Sequence, residues 1–87
     1  MLEEIMDVNK LPTLDLHGEV SDIARVLIES FIKENIKLKR EFIAIIHGKG
    51  TGVLKKTTGE VLRHNKYVED FKLYWFNDGM TIVKLKK

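Results

Sequence analysis

The sequence predicts an α/β domain, a two-layer βαβαββ sandwich in which a mixed four-stranded sheet carries two helices. Three observations predict it. Apolar positions switch between the two-residue period of strands and the three-and-four spacing of helices. A glycine-rich loop, His47-Gly48-Lys49-Gly50-Thr51-Gly52, joins an apolar run to an amphipathic one. Near the end, Asn77-Asp78-Gly79 separates two segments rich in β formers, which is a hairpin signal. With 87 residues, 44% of them hydrophobic and 32% charged, the chain has room for one ordinary globular core and no second one.

Each element follows from its pattern. Leu14-Asp15-Leu16-His17 alternates apolar and polar, so a short strand sends its leucines into the core and sets Asp15 and His17 together on the other face; Gly18 ends it. Val20, Ile23, Ala24, Leu27, Ile28 and Phe31 then mark an amphipathic helix with Ser21 or Glu19-Val20 near its start. Glu41 to His47 is nearly all apolar and too short for a helix, which predicts a central parallel strand buried on both faces. Val53, Leu54, Thr57, Thr58, Val61 and Leu62 give a second helix ending near His64-Asn65, with His64 interacting with free carbonyls at its end. The closing strands are expected over Phe71 to Phe76 and Thr81 to Leu85. Residues 2–11, with Leu2, Ile5, Met6, Val8 and Leu11 apolar among acids, read as an arm packing on the domain, which divides the chain into an arm of residues 1–10 and a domain of residues 11–87.

Composition removes several functions. Zero Cys excludes disulfides, thiolate metal sites, a Cys nucleophile and CxxC redox chemistry. No apolar run reaches the roughly 20 residues of a membrane span, and the acidic start lacks the basic end of a signal peptide, so a cytoplasmic protein without membrane contact is expected. Charge is unevenly spread. Residues 1–34 hold 3 basic and 8 acidic side chains, and residues 35–87 hold 12 and 5, which leaves −5 and +7. A polyanionic partner suits the second part.

Because a strand, crossover helix and parallel strand form a right-handed unit, the ends of the first two strands share one sheet edge. Asp15, His17 and the His47 loop meet there. Glycines at 48, 50 and 52 let the backbone turn toward a ligand, the next helix adds its positive end, and Lys49 adds a full charge, so the natural guest is a phosphate. The loop fits neither a Walker A pattern nor GxGxxG. Gly50 is expected either at positive φ or against a ligand too close for a Cβ. Asp15 beside His17 suits an acid and base unit, the carboxylate orienting the imidazole, and His47 supplies a second imidazole for proton transfer at a phosphodiester. No cofactor is demanded; the ion this chemistry admits is Mg²⁺ or Mn²⁺, for which Asp15 is a thin ligand set. Tyr74 and Phe76 are candidates for base stacking, against a plain role as sheet cover.

Leu14-Asp15-Leu16-His17-Gly18, followed by a helix and then Ile45-Ile46-His47-Gly48-Lys49-Gly50-Thr51-Gly52-Val53-Leu54-Lys55, closely resembles the Smr domain, the small MutS-related domain. Thr81-Ile82-Val83 resembles its closing strand. The resemblance implies a fold similar to the C-terminal domain of translation initiation factor three, and a nucleic-acid-binding module for RNA or for branched or duplex DNA. Some members nick DNA or cleave RNA, and some associate with ribosomes, which implies ribosome rescue or DNA repair and recombination as settings. It assigns the family's acid and imidazole to Asp15 and His17 and its HGxG loop to His47, Gly48, Lys49 and Gly50; with the reading of the residues above, Asp15, His17 and His47 are expected in catalysis, and Gly48, Lys49, Gly50, Thr51, Gly52 and Lys55 in phosphate binding. One stretch departs from the family, which often has GGxG before the last strand where this chain has Asn77-Asp78-Gly79-Met80. A monomeric, stand-alone small bacterial member is expected. Endonuclease and non-catalytic adaptor both stay open.

Overall fold

The computed structural model describes residues 8–74 and 77–87. A 3-10 turn, Val8–Lys10, leads into β1 (Thr13–Asp15), α1 (Ser21–Lys37), β2 (Phe42–Ile46), α2 (Val53–His64), β3 (Val68–Tyr74) and β4 (Asn77–Leu85). These strands form one sheet in the order β1-β2-β4-β3. β1 runs parallel to β2, with Leu14 opposite Ile45, while β4 runs antiparallel to both β2 and β3. The sheet is therefore mixed, and the expected βαβαββ order holds.

The helices pack on one face. Ala24, Ile28 and Ile32 of α1 and Val61 and Leu62 of α2 meet Ile43, Ile45, Val83 and Leu85 of the sheet in one core. Leu16, fully buried just beyond β1, joins them and gives its N–H to Ile46 O at 2.7 Å, so burial worth about 2 kcal/mol anchors the turn that carries His17. On the opposite face Ala44 and Ile82 are covered by Val8, Leu11, Phe42, Tyr74 and Met80. Of the apolar residues expected to pack the arm on the domain, Val8 and Leu11 are described and do so, while Leu2, Ile5 and Met6 lie outside the described residues.

Four expectations need correction. Val20 and Ile23 are 65% and 48% exposed, because the buried face of α1 is turned toward Ile32 instead. β1 ends at Asp15, before His17, since the next two residues already turn toward α1. β3 starts at Val68, three residues earlier than expected. Asn77, Asp78 and Gly79 belong to β4, with Asn77 paired to Tyr74, so they are strand and not turn. Trp75 and the Phe76 considered for stacking lie outside the described residues, and Tyr74 is half-buried against the Ala44 cluster. No described helix is long and apolar enough to cross a membrane.

Candidate phosphate-binding cleft

β1 and β2 end side by side, and each chain then turns through a left-handed glycine, Gly18 at φ 83 and Gly48 at φ 81. Between the two turns lies a cleft of about 560 Å³ lined by His17, Gly18, Glu19, Val20 and Ser21 on one side and by residues 47–54 on the other. The fold thus brings His17, His47, Gly48, Lys49, Gly50, Thr51 and Gly52 together. Asp15 and Lys55 are exposed and stand outside its walls.

The first turn is held by its acid in an unexpected way. Asp15 Oδ1 accepts the backbone N–H of His17 at 2.9 Å, so the carboxylate shapes the backbone and leaves the imidazole alone. The His17 side chain is exposed on the cleft wall. His47 has the opposite environment. It is 4% exposed, with Nε2 at 2.8 Å from Thr81 Oγ1 and Nδ1 at 3.2 Å from Gly48 O. A carbonyl only accepts, so Nδ1 carries the proton; in the neutral ring Nε2 then accepts from the Thr81 hydroxyl. Burial holds the His47 pKa below the ordinary 6.5; the bond to Gly48 O and the charge of Asp78 oppose this, and Lys55 reinforces it.

The stretch that departs from the family pattern also supports this loop. Gly79 O accepts the N–H groups of both His47 and Gly48, at 2.9 and 3.0 Å. Asp78 Oδ1 stands 3.7 Å from Lys49 Nζ in a pair exposed on both sides, which is easily given up. Thr81, Gly79 and Asp78 are the residues that sequence reasoning missed. A buried histidine needing two partners was the available signal, but a linear pattern does not show that β4 supplies them.

Positive φ falls on Gly48 and Gly52, the latter at 87°, and not on Gly50, which corrects one of the two expectations for that residue. A Cβ at Gly50 would meet nothing within 4 Å. The N–H groups of Lys49, Gly50, Thr51 and Gly52 make no hydrogen bond among the described residues, and Val53 N–H reaches Thr51 Oγ1 only at 3.4 Å. Both helices start on this cleft without a side-chain cap, α1 after Val20 and α2 after Gly52. Their unpaired amides and positive ends suit the cleft to an anion. For Mg²⁺ or Mn²⁺ the fit is poor: among the described residues no three carboxylate or imidazole side chains converge, and Asp15 already serves the His17 amide.

Comparison with known proteins places the fold and the cleft in a family. The Smr domain model matches residues 14–86. "Endonuclease MutS2" of Caldanaerobacter subterraneus subsp. tengcongensis is 39% identical over 77 residues, 85% of this chain but 10% of that protein, and other curated MutS2 relatives are covered to about the same small extent. The crystal structure of the Smr domain of Thermus thermophilus MutS2 superposes with TM-score 0.86 at 30% identity, covering 88% of this chain and 100% of that one. YdaL, a stand-alone small MutS-related protein from Escherichia coli, shares the fold with TM-score 0.81 at 20% identity, over 97% of this chain and 79% of that one. Since the matched span begins within β1 and runs past the end of β4, taking in both helices and the whole cleft, the chain belongs to the Smr domain family.

Proposed function

We propose that the chain binds the sugar-phosphate backbone of nucleic acid in the cleft between the His17 turn and the His47 loop, and that it cleaves the phosphodiester held there. The observation that carries this reading is the convergence of two uncapped helix N-termini on one cleft. Neither Val20 nor Gly52 carries a side-chain oxygen to accept from the first helical amides, so these amides stay open to a guest. A phosphate oxygen takes the N–H groups of residues 49–52, and Lys49 exchanges Asp78 for the phosphate at small cost because both side chains are exposed. The printed name of the MutS2 relatives, an endonuclease, supports the catalytic half.

In that half His17 is the proton carrier, because its imidazole faces the cleft. His47 holds the loop, with both ring nitrogens occupied by Thr81 and Gly48. Lys49 and the loop amides stabilise charge developing on the phosphorus oxygens. One observation favours binding without chemistry: enclosure of His47 leaves His17 as the exposed imidazole of the cleft.

Labelled RNA and DNA strands of matched sequence, incubated with the purified chain with and without Mg²⁺ or EDTA, separate the two readings by product formation. Binding has its own test. For a single strand, log K against log salt falls with slope about −0.7 per neutralised phosphate, and Lys49→Ala flattens it. Val20→Asp probes the uncapped helix directly, since Val20 already has the extended backbone of a cap at φ −88 and ψ 157. The variant gains about 1 kcal/mol of stability and loses affinity as its carboxylate takes the phosphate's place. Unchanged affinity in both variants contradicts the proposed site.

A further inference from the structure

The end of the domain opposite this cleft carries a second positive surface. There α1 stops in a Schellman turn: Lys39 N–H bonds Ile36 O and Arg40 N–H bonds Asn35 O, both at 3.0 Å. Lys39 sits at φ 59 and is the one non-glycine residue with positive φ among the described residues. Glycine suits that position because it has no Cβ to strain. Helix termination does not call for the lysine side chain, since backbone amides close the carbonyls and Lys37 in the last turn answers the negative helix end.

Lys39 instead borders a cleft of about 470 Å³ formed with Ile36, Arg40, Lys86 and Lys87. Lys87 lies 3.8 Å from Glu41, whereas Lys39, Arg40 and Lys86 have no carboxylate at ion-pairing distance among the described residues. A residue kept in a conformation that favours glycine, beside two further unpaired cations, points to a use for its charge.

We propose that this basic cleft is a second contact for the phosphodiester backbone of the same nucleic acid that the glycine-loop cleft holds; the inference rests on that reading. Ser21 lines one cleft and Ile36 the other, so the two sites stand at opposite ends of α1. Seventeen residues of helix span about 25 Å, the axial length of about seven base pairs. Along α1 the exposed acids Asp22, Glu29 and Glu34 are matched by the exposed bases Arg25, Lys33 and Lys37, so the helix between the clefts carries no net charge and the contact is two-point. Position on the same helix as a phosphate cleft favours a nucleic acid over an acidic peptide.

The test measures binding of hairpin stems of about five base pairs, shorter than this span, and about sixteen, longer than it, across a range of salt. Lys39→Gly removes charge and strain together. It melts roughly 4 °C higher than wild type, leaves the short stem unaffected, and lowers the salt slope for the long stem by about 0.9. Lys39→Arg keeps wild-type binding, Arg40→Ala behaves as Lys39→Gly does on the long stem, and Lys49→Ala weakens both stems. If Lys39→Gly and Arg40→Ala bind the long stem as wild type does while Lys49→Ala fails, the second contact is overturned and the first stands. If only the Lys39 and Arg40 variants weaken binding, the basic cleft stands and the glycine-loop reading falls. Wild type that binds neither stem overturns both. Displacement of the long stem by polyglutamate as readily as by a charge-matched duplex overturns the assignment to nucleic acid.

Discussion

The His17 turn and the His47 loop are built alike but enclosed differently. Each follows the end of one of two neighbouring parallel strands, each places a histidine before a glycine at positive φ, and each leads into a helix that lacks a side-chain cap. Yet His17 is exposed in the cleft, while His47 is 4% exposed and bonded through both ring nitrogens. Among the described residues the edge strand β1 has no strand on its outer side to cover its histidine, whereas β2 lies against β4, which brings Thr81 and Gly79 against the second one. Position in the sheet, not the local motif, separates the exposed imidazole from the enclosed one.

The largest effect expected from this contrast is on His17. Loss of a general acid or base lowers cleavage by roughly 10² to 10⁴, and an exposed site changes stability by no more than about 0.5 kcal/mol, so His17→Ala combines a large activity loss with an unshifted melt. A matching loss of stability would break the contrast. Asp15→Asn keeps an oxygen for the His17 amide and is expected to be milder than Asp15→Ala in the same assay.

Two buried threonines sharpen the other side. Thr81→Val strands His47 Nε2 in the core and is expected to lose about 1 to 3 kcal/mol in urea or thermal unfolding. Thr58 is equally buried, but its Oγ1 has no hydrogen-bond partner among the described residues, so Thr58→Val is neutral or stabilising. Equal losses in the two variants would mean that the bond to His47 contributes nothing.

Smaller effects divide the glycines. Gly52→Ala places a Cβ at φ 87 and costs about 1 kcal/mol or more, whether or not nucleic acid is present. Gly50→Ala meets no strain and open space, so its stability stays near wild type and its affinity for nucleic acid falls as the methyl group enters the amide cradle. Unfolding and binding measured on the same two proteins check both halves.

The fold was legible because its signals are local: Leu14 and Leu16 alternate, Ile43 to Ile45 are apolar without break, and Val53 to Leu62 keep helical spacing. The hairpin position was misread because Asn77-Asp78-Gly79 has turn chemistry while its backbone is paired as strand. The residues of the cleft were likewise legible from strand ends and glycines. How each histidine is held there was not, because Thr81 lies 34 residues from His47 and Asp15 bonds a backbone amide instead of the neighbouring ring. For Gly50 the positive-φ alternative fails for a related reason, since three spaced glycines do not reveal which ones carry positive φ.

The structural role of His47 is tested most directly by following its ring nitrogens by NMR through a pH titration. The account predicts a proton on Nδ1, an accepting Nε2, and a midpoint below 6.5, as burial disfavours the charged ring. The sign for stability follows: with the folded pKa depressed, the contribution of His47 is complete above 6.5 and is lost as pH falls from there toward the folded midpoint, because the unfolded chain takes the proton first. A His47 ring protonated on Nε2 in its neutral form, or titrating at or above 6.5, would contradict the enclosed and structural role assigned to it.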